Sequence, residues 1–262
     1  MDSSHVLALF DAQMRRDAPP DASGTRVERL GGVVRQTGAA THDWTGVIWS
    51  DLDESTADRA IAEQLAYLST PEAAGREFEW KLYSHDRPAD LGERLLAAGF
   101  TPEEPEALMV AEVAELATDA RMPEGVRIVP VTDAAGVDLL ADVHEQAFGT
   151  SAGRLRQRML DQIATSPDTV SMVLAMAGDV PVCGARMEFH TGTDFASLWG
   201  GGTVAAWRGR GIYRALVAHR AEIAAARGYR FLQVDASDDS RPILKRLGFT
   251  QLSVTTPYLL QT

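Results

Sequence analysis

A single cysteine, Cys183, is all the sequence offers for disulfide chemistry. One thiol excludes an intramolecular bridge and suits the reducing cytoplasm, where we expect the protein to work. Cys183 lies in the strand-like run DVPVCGARMEFH, and a buried, inert thiol is the expectation there. Long apolar runs are also missing: nothing approaches the roughly 18 residues of a membrane-spanning helix. The opening MDSSHVLALFDAQM has too short an apolar stretch, wrongly flanked, for a secretory signal. Basic residues are the scarcer charge, 25 Lys and Arg against 37 Asp and Glu, for a net charge of -12. That balance argues against nucleic acid as a partner, since duplex binding needs a basic footprint. It would draw a cationic small molecule, although a negative surplus serves solubility just as well.

With 262 residues, 45% apolar and 24% charged, the chain can build packed cores for two small domains. In the second half, TDAAGVDLLADVHEQAFG spaces Val137, Leu140, Val143 and Ala147 on one helical face, with Thr132 and Asp133 as cap candidates. GIYRALVAHRAEIAAARG does the same with Ile212, Leu216, His219 or Arg220, and Ile223, and closes at Gly228. Strand candidates between them are TVSMVLAMAG, VPVCGARMEF and FASLWGGGTV; after them come YRFLQVDAS, a short helix SRPILKRLG, and FTQLSVTTPYLL. The pattern predicts an α/β fold with a mixed (α+β) sheet over residues 121–262.

The first half carries a fainter version of the same ending. DRPADLGERLLAAGFT (86–101) and DASDDSRPILKRLGFT (235–250) have equal length and share Asp, Asp, Leu and the closing Gly-Phe-Thr. Each is preceded and followed by a strand-like run, and a helix, STADRAIAEQLAYL, comes before the first of them. A duplication offset by 149 residues is the simplest account. ATDARMPEGV is the expected linker, which gives domains 1–120 and 121–262.

An acidic chain nevertheless writes WRGRGIYRALVAHR at residues 207–220. Gly209 and Gly211 remove side chains where a ligand must approach the backbone, and they permit positive φ. The amides at a helix start lack intrahelical partners, and the helix dipole places partial positive charge there. Arg208, Arg210 and Arg214 add formal charge. Together they predict a pyrophosphate site. No Gly-Lys-Ser/Thr follows, so this is no Walker loop, and the glycine spacing is not that of a dinucleotide fingerprint.

In place and form this loop resembles motif A of the GNAT superfamily of acyl-CoA N-acyltransferases, Arg/Gln-x-x-Gly-x-Gly/Ala. The resemblance covers the whole second half and includes RLGF some way beyond the long helix. It implies that the amides from Arg208 through Gly209, Arg210, Gly211 and Ile212 to Tyr213 hold the CoA pyrophosphate, with Arg214 beside them. It also implies that Thr203 and Val204 end the strand that pairs with pantetheine, and that FLQVD splays from LWGGGT to admit the thioester. Acetyl-CoA would be co-substrate and an amine the acceptor, with no metal, no nucleic acid and no membrane; a monomer or a homodimer would serve.

Two positions depart from the superfamily pattern. Tyr213 stands where Gly or Ala is usual, and Leu244 stands where many relatives carry the tyrosine that protonates the leaving thiolate. For the base, location offers Asp235 at the end of the splayed strand, Asp194, Glu188 and His190 on the preceding hairpin, and Tyr258 in the last strand; Asp235 is preferred. Proximity can supply much of the rate in aminolysis of a thioester.

The first half lacks the loop. Its helix entry reads IWSDLDESTADR, where Asp51, Asp53 and Glu54 suit a free helix N-terminus and would repel a pyrophosphate. It reads as a truncated, degenerate module of the same kind that does not bind CoA. Tandem arrangements are known in the superfamily, mycothiol synthases among them. Three functions are then open: N-acetyltransfer to a small amine in a ternary complex, a non-catalytic CoA-binding or ligand-sensing module, and nucleotide-phosphate binding. The last is disfavoured by the missing Lys-Ser/Thr and magnesium ligand.

Overall fold

The computed structural model describes residues 1–261. Along the first half run α1 (Ser3–Phe10), continued by a π-helical turn Asp11–Arg16, then β1 (Arg26–Leu30), β2 (Val33–Thr37), β3 (Thr45–Ser50), α2 (Ala57–Leu68), β4 (Glu77–Tyr83), α3 (Leu91–Ala97), the short β5 (Thr101–Pro102) and β6 (Glu106–Glu112). Then follow β7 (Val126–Pro130), α4 (Ala134–Phe148), α5 (Gly153–Thr165), β8 (Val170–Ala177), β9 (Val180–Phe189), β10 (Phe195–Thr203), α6 (Ile212–Ala226), β11 (Phe231–Ala236), α7 (Arg241–Arg246) and β12 (Thr250–Gln261). The fold is mixed α/β with a mixed sheet: most strand pairs are antiparallel, while β3/β4 and β10/β11 are parallel.

Two compact units form, and neither is a continuous stretch of chain. One contains Asp2–Leu108, Asp235–Asp238 and the terminal strand from Gln251 on. Its strands run in the order β1-β2-β3-β4-β12, with β5 also on β12. The chain's last strand thus completes a sheet of the first half, Thr255 opposite Tyr83 and Tyr258 opposite Trp80. Phe78 and Trp80 on one face of β4 are fully buried against Ile61 of α2 and Leu91 and Leu95 of α3. The side chains between them, Glu79 and Lys81, alternate to the opposite face.

The other unit contains Met109–Val234 and Asp239–Thr250. Its strand order is β11-β10-β9-β8-β7. Val137, Leu140 and Val143 of α4, with Met159 of α5, cover Met172, Leu174 and Met176 on one face. Ile212 and Leu216 of α6 cover Val173, Ala175 and Val182 on the other. Asp133 caps α4 by accepting from the Gly136 amide at 2.8 Å. On α6 it is Arg220, 1% exposed, that takes the inward position and not His219. Its guanidinium donates to the Leu216 and Arg186 carbonyls, both at 3.1 Å.

The repeated segments close alike. Phe100 and Phe249 are both buried, and their amides donate to the carbonyls of Leu95 and Leu244, each at 3.0 Å. Every one of these four residues is offset from its counterpart by the 149 read in the sequence.

Candidate active site

The loop that ends β10 and opens α6 is built to leave amides bare. Gly209 and Gly211 sit at φ +76° and +83°, where a side chain would be strained, and the space a Cβ would take at either is open. Gly211 is the N-cap of α6 and no side chain caps the first turn. The N–H groups of Ile212 and Tyr213 therefore have no intrahelical acceptor, at the positive end of a 15-residue helix.

The arginines divide their work. Arg208 donates to the carbonyls of Thr203 at 3.1 Å and Ala147 at 3.0 Å, tying the loop to the end of β10 and to α4. Arg210 lies over the Trp207 ring, 4.4 Å from its centroid, and donates to the Ala206 carbonyl. Arg214 is exposed on the first turn. Two of three guanidiniums thus shape the loop while adding charge to it. Ile212 is buried beneath, and the Val204 amide is bonded to the Val182 carbonyl at 3.0 Å.

The glycine run before the loop has a packing cause. A Cβ on Gly201 would lie 2.6 Å from the Tyr213 ring, and one on Gly202 would lie 2.6 Å from that of Phe148. Tyr213 is therefore a packing residue, its hydroxyl made harder to ionise by burial. The β9/β10 register slips between Trp199 and Gly202. Parallel pairing of β10 with β11 covers only Phe195–Ser197 against Phe231–Gln233, although both strands continue. The strands part where the sequence expected a splay. Beside the bulge, a cavity of about 160 Å³ is walled by Leu140, Val143, Leu155, Met159 and Trp199, with Arg186 and His144 as its polar groups. Burial first, then Arg186, lowers the His144 pKa.

The proposed bases fall in different places. Asp194 starts β10 while the loop follows its end; nine strand residues at about 3.3 Å each put roughly 30 Å between them. The Asp194 carbonyl accepts from the Arg230 and Phe231 amides, both at 3.0 Å, and its carboxylate lies 3.6 Å from Arg230. Glu188 is buried, and burial alone would raise its pKa; Arg186, Arg158, a bond from Gln162 and His190 outweigh this and hold it at about 2. That makes it a counter-ion rather than a proton acceptor. His190 bonds the Ser197 hydroxyl at 2.6 Å, and Gln233 also donates to that hydroxyl. Tyr258 packs on the core of its unit, its hydroxyl against Gly92. Leu244 is fully buried. The Cys183 thiol, raised by burial, accepts from Thr203 Oγ1 at 3.1 Å.

Asp235 is the exception. Its side chain is 4% exposed, and Oδ2 accepts from Lys81 Nζ at 2.6 Å. Glu79, Lys81 and Tyr83 stand together on one face of β4, and Glu79 accepts from Trp44 Nε1 at 2.5 Å. Glu106, at the start of β6, has its pKa pushed up to about 7, by burial first and then by Asp235 and Glu79, against the opposing effect of Lys81. Burial likewise raises Glu79. Lys81 stays firmly charged: Asp235 outweighs the cost of its burial. The sequence reading missed this cluster. Its signal was the strict alternation of polar and apolar residues in EFEWKLY.

No family model matches the chain, and no curated protein does. Solved structures do. A GCN5-related N-acetyltransferase from Kribbella flavida matches with a TM-score of 0.68 at 17% identity, over 98% of this chain and 93% of that one. A conserved protein of unknown function from Staphylococcus epidermidis matches with a TM-score of 0.69 at 15% identity, over 92% of this chain and 95% of that one. A tandem GNAT protein from the clavulanic acid biosynthesis pathway matches with a TM-score of 0.60 at 12% identity, over 98% and 93%. The chain has the fold of the GCN5-related N-acetyltransferases over nearly its whole length. Among the described residues, no helix is long and apolar enough to cross a membrane.

Proposed function

We propose that the protein is an N-acyltransferase that moves an acetyl or another short acyl group from acyl-CoA to a primary amine. The observation that carries this reading is the uncapped entry of α6 behind two positive-φ glycines, placed directly after a strand that parts from its neighbour. A pyrophosphate fits there because bare amides and the helix dipole meet it at once. Thr203, Val204 and residues 208–214 form the CoA site in this reading, and residues 121–262 are the catalytic half, although Asp235–Asp238 and the strand from Gln251 on belong to the other compact unit. Residues 1–120 are a truncated copy that does not bind CoA. The protein acts in the cytoplasm.

The reaction needs little from the protein beyond placement. The free amine attacks the thioester carbonyl, the new N–C bond forms as the C–S bond breaks, and thiolate leaves. The proton lost from nitrogen goes to a carboxylate or water and then to the thiolate, giving amide and CoA thiol. Asp235 is the carboxylate we assign to this. It lies two residues beyond Gln233, where β11 stops pairing with β10. Asp194 lies at the wrong end of β10 for that role, and Tyr258 is occupied in packing.

The test is calorimetric titration of acetyl-CoA, CoA and ATP, followed by turnover with a panel of amines. Micromolar CoA binding with transfer is expected. Tight CoA binding without transfer to any amine would make the protein a CoA sensor instead, a reading that buried Leu244 at the usual acid position keeps in play. Binding of ATP but not of CoA would end the acyltransferase reading.

A further inference from the structure

The two repeated segments begin with an aspartate each, and the two aspartates are not equally satisfied. Asp86 has both oxygens engaged: Arg15 meets Oδ1 at 2.9 Å and Oδ2 at 2.7 Å, and the Tyr83 amide donates to Oδ2 at 3.0 Å. Asp235, its counterpart 149 residues on, has Lys81 on Oδ2 and no partner on Oδ1, although its side chain is almost entirely buried. A second orphan faces the same strand. Thr255 is 0% exposed, sits opposite Tyr83 in the β4/β12 pairing, and its hydroxyl has no partner. Buried oxygens of this kind cost stability unless something donates to them.

Around them the carboxylates of Asp235, Glu79, Glu106 and Glu103 act on one another, and Lys81 is the ammonium that meets Asp235. Arg15 stacks on Tyr83 at 4.1 Å, but its guanidinium is taken up by Asp11, Asp86 and the Ile48 carbonyl. Burial favours the neutral forms of Glu79 and Glu106, and a bound cation with N–H donors would stabilise their ionised forms. A compact metal ion is the wrong shape, because among the described residues no three acidic, histidine or cysteine side chains converge as a metal would need. An extended cation with N–H donors at separate points suits oxygens that are spread out.

We infer that this cluster is the recognition site for an acceptor bearing two ammonium groups, an aliphatic diamine or polyamine, with Asp235 Oδ1 and the Thr255 hydroxyl receiving one nitrogen and Glu106 and Glu79 neutralising the other. The inference rests on the amine-acyltransferase reading and narrows it to a substrate class. Glu106 faces Asp235, Lys81, Glu79 and Glu103. Its ionisation near about pH 7 should make diamine binding tighten as pH rises through that value.

The test uses the intact protein and two probes of equal length, 1,4-diaminobutane and butylamine, titrated calorimetrically at about pH 6 and about pH 8, on either side of the Glu106 ionisation. The diamine should bind about tenfold tighter than the monoamine at the higher pH. Glu106→Gln should lose most of that preference and flatten its pH dependence. Asp235→Asn should weaken diamine binding as well; should it fail to fold by circular dichroism, the half-buried Glu106 and the Glu79→Gln variant decide the matter. Equal affinity for the two probes, or an unchanged pH profile in Glu106→Gln, would overturn the inference. Acetyl transfer assayed in parallel separates the two readings. Transfer to monoamines with no diamine preference removes the inference and leaves the function, while diamine binding without transfer keeps the diamine site but ends its role as the acceptor site.

Discussion

At the entry of α2, the Asp53 carboxylate turns back on the helix and accepts from the amides of Ser55 and Thr56, at 2.9 and 3.0 Å, and from both their hydroxyls. At the entry of α6, nothing turns back. Gly211 has no side chain to offer, and its neighbours at 208, 210 and 214 are arginines. The same orphan amides exist in both places, because every helix has them. In one the protein satisfies them itself; in the other it leaves them open behind left-handed glycines. A missing cap alone does not set α6 apart, since α3, α5 and α7 also lack a capping side-chain bond; the left-handed glycines at 209 and 211 do. Arg208 and Arg210 spend their hydrogen bonds on loop carbonyls, so they hold the cradle as much as they charge it.

The strongest way to break the contrast is to make the α6 entry resemble that of α2. Gly211→Glu adds a carboxylate and a side chain at φ +83°. The left-handed strain is worth about 1–2 kcal/mol, and repulsion of the pyrophosphate adds a similar amount. Together these predict about a hundredfold loss of CoA affinity, at about 1.4 kcal/mol per tenfold. Gly211→Ala carries the strain alone and should lose about tenfold. Equal losses in the two variants, measured by calorimetry, would mean that backbone shape and not charge sets the site.

A smaller effect separates positioning from charge. Arg208→Ala frees the loop from Thr203 and Ala147 and should weaken CoA binding about tenfold, with little dependence on salt, because a lost tether is not screened. Arg214→Ala removes only an exposed charge; its loss should be a few-fold and should fade as ionic strength rises. Salt titration of both variants checks the assignment. A steep salt dependence in Arg208→Ala would make it a phosphate ligand.

The loop was legible in the sequence because every part of it is local: glycines, arginines and a helix start lie within a few residues. So were α4 and α6, whose apolar faces repeat cleanly. The hairpin of β1 and β2 could have been read, since Gly31 and Gly32 turn it in two residues at φ +53° and +94°. Helix α5 was not picked out although its pattern is periodic: Leu155, Met159 and Ile163 recur every four residues and pack in one core. What one sequence could not reveal is partnership across distance. Lys81 and Asp235 meet although they stand 154 positions apart, and the placement of β12 beside β4 spans still more chain. Glu106 looks like a surface residue in PEEPEAL until its carboxylate neighbours are known.

The gentlest prediction sharpens the comparison from the other side. Asp53→Ala uncaps α2, and if an open helix start were sufficient, this variant should begin to bind CoA at a second site. We expect that it will not, because no positive-φ glycine lets a pyrophosphate reach the α2 amides, and Asp51 and Glu54 stay beside them. The stoichiometry of CoA binding should therefore be unchanged, while the melting temperature falls by a few degrees at neutral pH as the cap is lost. That fall has a defined pH course. Hydrogen bonds from Ser55 first, then Thr56, depress the Asp53 pKa in the folded protein. A carboxylate with a depressed folded pKa adds stability above its unfolded value and loses it as pH drops through the folded one. The wild type and Asp53→Ala should then differ in melting temperature near neutrality and converge on acidification. A difference that persisted into acid would mean that Asp53 holds α2 by packing, and the contrast between the two helix entries would no longer be one of capping.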